Sequence, residues 1–422
     1  MKTQATLVNA VRNILAIAGP VAMTSALLVA CSSPPTSYMM NPKPAYEKFS
    51  ENGGGVQFDI TPKAEILVVV DTSDSMLLHP QMADNINRFV DEFTRKNPIE
   101  YHLAVVSIYD HRTYDSQNYK TKFAGTDKLN TFENGEFRPV KDGPNSIVKD
   151  KFFISSADAN LKDLLKNTIN IGVQSLKNGG PEFEESFSPV AAAFNLPGGD
   201  KLSQDKMSRQ SGFFFGPNAY KIIFFVTDAT DDSRSSASEL YYSLLASANG
   251  DRSKVMIYGA VVPTDDNSCV RDPGGPPVKI EDLLHLASID ESNVVTLCKP
   301  FGDKLAEIGK SIRTRTLPKV ISLSRGVPMI NGDPSATLTV CYGIPRPDLA
   351  DQPGCPNMQQ VPFETSPDLI GFQYDPTNNS VHLNPNLELN PEPGGKLIVK
   401  YKSVNPSNLR TGYKVKRYGD RP

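Results

Sequence analysis

Three oxygen-bearing side chains stand at alternate positions directly after an apolar run. In the stretch EILVVVDTSDSMLL, residues 65 to 78, this run ends in Asp71, Ser73 and Ser75. Carboxylate and hydroxyl oxygens are the hard ligands that Mg²⁺ and Ca²⁺ prefer. The same residue types also cap helices, and a helix predicted from about Gln81 would give them that structural role instead. The motif by itself is therefore a weak signal of a metal site.

A second apolar run, IIFFV, also ends in oxygen-bearing residues. Thr227 and Asp228 follow it directly, and Asp231 and Asp232 come shortly afterwards. In open α/β sheets, ligands bind beyond the carboxyl ends of the strands, so the oxygens of two neighbouring strands meet at one point. This pairing strengthens the interpretation as a cation site. Asp231 and Asp232 themselves are predicted to cap the helix that begins near Ser235.

The segments that must position these residues alternate between strand and helix patterns. The runs EILVVV, HLAVVSI, KIIFFVT and KVMIYGAVV have the unbroken apolar character of parallel strands covered on both faces. Between them, one segment places Phe89, Val90 and Phe93 on a helical stripe, and another does so with Ile308 and Ile312. The sequence therefore predicts an α/β fold, a doubly wound and mostly parallel sheet flanked by helices, Rossmann-like in layout.

Composition divides the chain into regions of different character. Residues 32–62 are rich in Ser, Pro, Asn and Gly, which predicts a disordered tether. After Pro318, the runs SATLTVCY and KLIVKYKSV alternate apolar and polar residues, as half-buried antiparallel strands do. We therefore predict a signal segment at 1–31, the tether at 32–62, the α/β domain at 63–316 and a smaller β-rich C-terminal domain at 317–422.

The N-terminus has the layout of an export signal. Lys2 and Arg12 precede the apolar segment ILAIAGPVAMTSALLVA, which runs directly into Cys31. A transmembrane helix is the alternative interpretation. The segment is shorter than the roughly 20 apolar residues that span a bilayer, and Gly19-Pro20 interrupts it. A cleaved signal peptide is therefore the prediction.

The end of this signal resembles the lipobox of bacterial lipoproteins. The residues LVAC, 28–31, match that pattern, and the resemblance implies that Cys31 becomes the lipid-bearing first residue of the mature chain. Ser32 stands where an inner-membrane retention signal would usually have Asp. The resemblance thus implies a protein of the cell envelope, lipid-anchored on the outer membrane of a Gram-negative bacterium.

The cysteines agree with an oxidising compartment. If Cys31 carries lipid, four of the five cysteines remain as an even set. Their spacing along the chain suggests the pairs Cys269-Cys298 and Cys341-Cys355. Zinc binding is disfavoured because the sequence has no C-x-x-C pair and histidine is scarce.

The charge pattern and the lack of catalytic motifs argue against nucleic-acid binding and against enzymatic activity. The net charge is -3, and no Lys/Arg-rich patch interleaved with aromatic residues is present, so nucleic acid is not an expected partner. No G-x-S-x-G motif occurs, and the hydroxyl of Ser73, near His79, is better used on a metal. We interpret His79 as a loop residue. The pair Asp231-Asp232 has no other mark of a substrate cleft beside it, so the prediction is a protein without catalytic activity.

The two strand ends together resemble a von Willebrand factor type A domain with its metal-ion-dependent adhesion site (MIDAS), over roughly residues 63–316. The resemblance implies that Ser73 and Ser75 ligate a divalent cation directly, and that Asp71 and Asp228 ligate it or hold its waters. Mg²⁺ suits such an oxygen set, with Ca²⁺ or Mn²⁺ as alternatives. An acidic side chain of a protein partner would then complete the coordination.

One position departs from the family pattern. The family expects a Thr between the two motifs, but the corresponding stretch NGGPEFEESFSPVAAAF contains none. Glu184 is our candidate for that place, and a carboxylate there would retain the cation more firmly and attract an acidic partner less. The alternative for Glu182, Glu184 and Glu185 is a solvated acidic helix start.

The sequence therefore predicts a membrane-anchored envelope lipoprotein whose type A domain binds a protein partner through a divalent cation. The competing hypothesis is a structural envelope protein in which the metal only stabilises the loops. The absent Thr keeps this second hypothesis open.

Overall fold

The computed structural model describes most of the chain. The described residues are 47–49, 55–79, 82–93, 99–116, 132–170, 172, 180–268, 275–288, 293–299, 302–330, 333–346, 352, 354–366, 369–389 and 394–402. The predicted signal segment and Cys31 lie outside these ranges. Within them, no helix combines the length and the apolar character that crossing a bilayer requires.

Strands and helices alternate through the first part of the chain, and strands dominate the last part. The strands are β1 Glu47–Phe49, β2 Gly55–Asp59, β3 Lys63–Val70, β4 Glu100–Ser107, β5 Lys141–Gly143, β6 Ser146–Ile147, β7 Ile154–Ser155, β8 Tyr220–Val226, β9 Val255–Val261, β10 Val294–Thr296, β11 Val320–Ser322, β12 Leu338–Gly343, β13 Gln359–Val361, β14 Phe372–Asp375, β15 Ser380–Leu383 and β16 Lys396–Lys402. The α-helices are α1 Met82–Phe93, α2 His111–Tyr114, α3 Leu161–Ile169, α4 Phe187–Ala193, α5 Gln204–Gln210, α6 Ala237–Ser247, α7 Val278–Ala287 and α8 Gly302–Thr316.

The central sheet has the strand order β10-β9-β8-β3-β4-β7. Pairing is parallel from β10 to β4, and only the short β7 runs antiparallel to its neighbour. In register, Val70 at the end of β3 lies beside Val226 of β8 and Ser107 of β4. The carboxyl ends of three adjacent strands therefore finish at the same edge.

Helices cover both faces of this sheet. On β3, Ile66 and Val68 join one buried cluster, which α1, α3 and α8 complete, whereas Leu67 and Val69 join a second cluster with α4, α6 and α7. A strand buried on both faces needs apolar residues on both sides, which is why these strands carry nearly unbroken apolar runs. Each such aliphatic side chain contributes about 1.5 to 3 kcal/mol on burial. The predicted doubly wound α/β fold is confirmed.

The last part of the chain forms antiparallel sheets around a core of its own. Their strand orders are β1-β2-β16-β12-β13 and β11-β15-β14. Alternate residues of β16, such as Leu397, Val399 and Tyr401, are buried in this core, while Lys402 is exposed. The alternation is the pattern that the sequence predicted for half-buried strands.

The predicted tether is wrong at its C-terminal end. Residues 32–46 lie outside the described ranges, but β1 and β2 are strands, and β2 pairs with β16 inside the β-rich region. The β-rich region is thus built from both ends of the chain and not from residues 317–422 alone. The composition argument failed because a short strand with the sequence GVQFD follows a run of glycines, and pairing with a distant strand decides its structure.

One of the two suggested disulfides lies wholly within the described residues. Cys341 on β12 is bonded to Cys355, 14 positions later. Cys298 is also disulfide-bonded, whereas Cys269 lies outside the described residues. Such a crosslink stabilises mainly by restricting the unfolded chain.

Candidate metal centre

The ends of β3 and β8 place Asp71 and Asp228 side by side. The backbone N–H of Asp71 donates to the carbonyl oxygen of Val226 at 2.8 Å, which continues the sheet pairing one residue beyond β3. The hydroxyl of Thr227 donates to Oδ2 of Asp71 at 2.7 Å, and the N–H of Ser73 donates to Oδ1 at 2.8 Å. Asp71 is therefore held rigidly at the edge of the sheet.

The structure brings all five predicted ligand residues into one cluster. Carboxylate oxygens of Asp71, Glu184 and Asp228 lie within 4.8 Å of one another. These residues are 0%, 7% and 0% exposed. The Oγ atoms of Ser73 and Ser75 are 2.8 Å apart, and Ser75 donates to Oδ1 of Asp228 at 2.7 Å. Two hydroxyls and three carboxylates thus converge at the carboxyl edge of a mostly parallel sheet.

Comparisons with known proteins find similarity to solved structures alone. No protein-family model matches the sequence, and no curated protein matches it. Solved structures with a similar fold include a von Willebrand factor type A protein from Catenulispora acidiphila, with 14% identity, coverage of 83% of this chain and 61% of that chain, and a TM-score of 0.31.

Two further structural neighbours come from other sources. Proximal thread matrix protein 1 from the mussel byssus, solved with a zinc-occupied MIDAS motif, is 16% identical over 61% of this chain and 47% of its own, with a TM-score of 0.30. The pilus adhesin from Streptococcus pneumoniae is 9% identical over 82% and 58%, with a TM-score of 0.33. This chain thus spans about half to three fifths of the length of these proteins.

The electrostatics of this cluster favour a bound cation. Burial and, after it, the neighbouring Asp228 carboxylate raise the pKa of Asp71 to about 6, against the lowering effect of hydrogen bonds from Ser73 and Thr227. Buried carboxylates in contact repel one another unless a proton or a cation intervenes. A divalent ion between Asp71 and Asp228 would remove this repulsion without protonation.

The chemistry of the site fits a hydrated oxygen-binding ion. Two residues close in sequence to the candidate ligands, Thr72 and Ser186, have hydroxyl oxygens that are buried without a hydrogen-bond partner among the described residues. A buried hydroxyl without a hydrogen bond lowers the stability of the fold, and a water molecule bound to the ion is one partner that would satisfy it. Carboxylate and hydroxyl ligands suit Mg²⁺, Ca²⁺ and Mn²⁺. The residues therefore fit a divalent metal, with Asp71, Ser73, Ser75, Glu184 and Asp228 as its candidate ligands.

Glu184 reaches the cluster because its loop is held from two sides. The carboxylate of Asp110, fully buried just beyond β4, accepts the N–H groups of Glu182 and Phe183 at 2.7 and 3.0 Å. On the other side, the N–H of Asp232 donates to the carbonyl oxygen of Glu184 at 3.0 Å. The interpretation of Glu184 as part of a solvated acidic helix start is therefore wrong, since the side chain is buried between two strand ends.

Asp231 caps a different helix from the one predicted. Its Oδ1 accepts the N–H groups of Ser186 and Phe187 at 2.7 and 2.9 Å, at the start of α4. The later helix α6 has its own capping box, made by Ser236 and Glu239. The prediction failed because an adjacent helix in sequence was assumed to be the capped one, whereas the fold brings a distant helix start closer.

Two residues at the site were missed by sequence reasoning. His79 follows the ligand motif in a loop, as interpreted, but it is buried and its Nε2 lies 3.2 Å from Oδ2 of Asp228. Asp110 carried no motif, although its place directly after the apolar run HLAVVSI was a usable signal. A polar residue that follows any strand ending at this edge can reach the site, whether or not it matches a known pattern.

Proposed function

We propose that this chain is an envelope protein whose type A domain binds a divalent cation and, through it, a protein partner. The observation that carries the proposal is the convergence of Asp71, Glu184 and Asp228 within 4.8 Å at the carboxyl edge of the sheet. Ser73 and Ser75 add neutral hydroxyl ligands. Mg²⁺ is the first candidate for the ion, with Ca²⁺ and Mn²⁺ as alternatives.

A partner surface next to the metal is supported by exposed apolar residues. Leu77 and Leu78 directly follow the ligand motif and are 66% and 53% exposed. Large apolar side chains exposed together at the rim of a polar site are typical of interaction surfaces. We infer that the partner places an acidic group on the cation and an apolar patch on these leucines.

The alternative function, a structural envelope component, is favoured by one observation. Three carboxylates face the site, so a divalent ion bound there leaves a net negative charge if all three are ionised. An acidic partner is then attracted less than by a site with two carboxylates and a Thr. In this case the ion would stabilise the loops, and the partner would bind elsewhere.

The remaining parts of the proposal concern location and chemistry. The lipobox-like sequence ending at Cys31 supports a lipid anchor on the outer membrane, and this anchor is the proposed membrane contact. The proposed role is binding and not catalysis, since the candidate nucleophile Ser73 is engaged with Ser75 in the metal cluster. Nucleic acid is not a proposed partner, because the charge pattern does not support it.

Metal binding is tested by calorimetric titration of Mg²⁺, Ca²⁺ and Mn²⁺ into the chain from Ser32 onward. We expect saturable binding of at least one ion, and its loss in Asp71→Ala. Ser73→Ala should weaken binding while circular dichroism shows an intact fold. If no ion binds the wild-type chain, the proposal is wrong.

The partner surface is tested by photo-crosslinking in cell envelopes. A crosslinking amino acid at position 78 should give an adduct that disappears with chelator and with Ser73→Ala. Tyr242 on α6, 54% exposed, is a matched control position. An adduct that survives both treatments, together with a melting temperature lowered by chelator, would support the structural alternative.

A further inference from the structure

His79 is a buried residue beside the metal cluster that is not among the candidate ligands. Its side chain is 4% exposed, and its Nε2 lies 3.2 Å from Oδ2 of Asp228, whose side chain is fully buried. An ionised carboxylate has acceptors only, so this contact is a hydrogen bond in which the Nε2–H group donates. The imidazole of His79 therefore engages one of the two oxygens of Asp228.

The other oxygen of Asp228 is engaged by the same segment of the chain. The hydroxyl of Ser75 donates to Oδ1 at 2.7 Å. Ser75 and His79 both belong to the short segment that follows β3, and they hold the carboxylate at both of its oxygens. Rotation of this carboxylate would lengthen both hydrogen bonds and weaken them. Asp228 is therefore fixed in one orientation toward the site.

The segment that carries these two donors is anchored in the core. It forms a short 3-10 helix, Asp74–Leu78. The N–H of Met76 donates to the carbonyl oxygen of Ser73 at 3.3 Å, and the N–H of His79 donates to that of Met76 at 3.1 Å. The side chain of Met76 is buried in the core cluster that α1 helps to form. The imidazole of His79 is thus carried by a turn that the core holds in place.

Mg²⁺ and Ca²⁺ use a carboxylate differently. Ca²⁺ takes about six to eight oxygen ligands and often binds both oxygens of one carboxylate, whereas the smaller Mg²⁺ requires a nearly octahedral set at about 2.0 to 2.1 Å. Each oxygen of Asp228 already accepts one hydrogen bond, so fewer of its lone pairs remain for an ion. Turning the carboxylate to offer both oxygens would break the bond to Ser75 or to His79. The two hydrogen bonds therefore oppose the geometry that Ca²⁺ favours.

We propose that His79 sets a preference of this metal centre for Mg²⁺ over Ca²⁺, by holding Asp228 so that it offers the ion one oxygen and not two. His79 acts on the ion through Asp228, so it is a positioning residue. The inference rests on the proposed function, since it requires a cation at the cluster. It assigns the choice of ion to a residue outside the ligand set.

Calorimetry on the chain from Ser32 onward measures the affinities of Mg²⁺ and Ca²⁺ for wild type, His79→Leu and His79→Gln. Hydrogen-bond partners of metal ligands typically contribute about 10- to 100-fold to metal affinity. We expect His79→Leu to weaken Mg²⁺ binding about tenfold or more. Ca²⁺ binding should weaken less, so the affinity for Ca²⁺ relative to Mg²⁺ should rise at least about fivefold.

The glutamine variant tests whether the hydrogen bond is the cause. Its side chain keeps an N–H donor, so His79→Gln should leave the ratio of the two affinities within about twofold of wild type. A ratio that does not change in His79→Leu, or a glutamine variant that shifts the ratio as much as the leucine variant, would overturn the proposal.

His382→Leu is the matched control. His382 lies on β15 in the β-rich region, and its Nε2 is 2.9 Å from Oγ of Ser380, so this change also removes a hydrogen bond of a histidine. It should leave both ion affinities unchanged. If it shifts the ratio as much as His79→Leu does, the effect is a general one of stability and the proposal is wrong.

Nitrogen NMR of wild-type protein with labelled histidines gives a readout that needs no variant to bind an ion. The chain has five histidines. Once the ring of His79 is assigned among them, we expect its Nε2 to keep its hydrogen when Mg²⁺ is added, because that hydrogen is bonded to Asp228. Loss of the hydrogen on addition of the ion would show that His79 ligates the metal directly, which contradicts the positioning role.

Failure of this inference can be told apart from failure of the proposed function. If wild type binds neither ion, the metal centre is wrong, and the role of His79 is wrong with it. If wild type binds both ions and His79→Leu keeps the ratio of their affinities, only the role of His79 is wrong.

Discussion

Buried carboxylates at the two edges of the central sheet have opposite neighbours: a positive charge at one edge and a second negative charge at the other. At the amino edge, Glu65 on β3 is fully buried and pairs with Lys221 on β8. Its Oε1 also accepts the N–H groups of Phe215 and Gly216 at 2.7 and 3.0 Å. At the carboxyl edge, Asp71 meets another carboxylate, Asp228, and its pKa is raised to about 6.

The difference shows that the partner of a buried acid distinguishes a structural role from a ligand-binding role. Lys221 supplies the counter-charge of Glu65 within the chain, so the amino edge needs no added ion. Asp71 and Asp228 have hydroxyl donors around them and His79 beside Asp228, but a divalent cation shared by the two carboxylates must come from solution. A buried ion pair that is complete serves the fold, whereas a buried cluster of like charge is typical of a ligand site.

The largest expected effect is at the amino edge. Lys221→Met leaves Glu65 buried without its counter-charge, and the free energy of unfolding should fall by about 3 to 5 kcal/mol. Urea unfolding measures this, and the loss should be the same with and without chelator. Lys304→Met, which breaks the exposed pair with Glu307, is the control and should cost under about 0.5 kcal/mol. A loss that depends on the metal would mean that the two edges are coupled.

The next effect is at the carboxyl edge. An ion at 100 times its Kd should raise the free energy of unfolding by about 2.7 kcal/mol, since it binds the folded chain alone. Asp71→Asn should abolish this gain. In chelator the same variant should be more stable than wild type, because it removes the repulsion with Asp228. Thermal melts with and without Mg²⁺ measure the loss of stabilisation by the ion and the gain in chelator. A variant that is less stable than wild type under both conditions would contradict the predicted repulsion between Asp71 and Asp228.

A smaller effect is expected from Glu185, which lies at the carboxyl edge but has an internal partner. Glu185 and Asp200 raise the pKa of His111 to about 9 from 6.5. The folded value lies above the unfolded value, so the stabilisation is complete below pH 6.5 and is lost as pH rises through 9. We expect a loss of about 1 to 2 kcal/mol, after allowance for solvent at a partly exposed group.

This dependence is measured by urea unfolding between pH 6.5 and 9 at saturating Mg²⁺. The His111→Gln variant should lack the part of the dependence that His111 contributes. If wild type and variant follow the same pH curve, the ion pair contributes nothing to the stability of the loop.

The smallest effect concerns Thr72, whose buried hydroxyl has no partner among the described residues. Thr72→Val preserves shape and should change stability in chelator by less than about 1 kcal/mol, with a gain if the hydroxyl is unsatisfied. Its affinity for Mg²⁺ should fall several-fold if that hydroxyl holds an ion-bound water. Calorimetry compares the two chains, and an unchanged affinity would exclude the role in water binding.

The sequence predicted the site residues that directly follow a strand in the chain. Asp71, Ser73, Ser75 and Asp228 could be predicted to meet, because parallel strands deliver their terminal residues to one edge. Glu184 was found because a family pattern indicated where to look. The apolar runs predicted the layers of the sheet, since burial on both faces requires an unbroken run.

The sequence was misleading where pairing is long-range. The short strand β2 had the composition of a tether, and only its pairing with β16, more than 300 residues later, makes it a strand. Asp231 was assigned to the nearest helix in sequence, but it caps α4. His79 and Asp110 gave no motif, although both are buried at the site.

The sequence by itself therefore determined the α/β layering and four of the oxygen donors, because these depend on patterns within single strands and their ends. Only the tertiary structure decided that Glu184 joins them, that Asp110 and the loop around Asp231 and Asp232 hold it there, and that His79 contacts Asp228. Those contacts join segments far apart in the chain, and their free energy exists only once the sheet has brought the segments together.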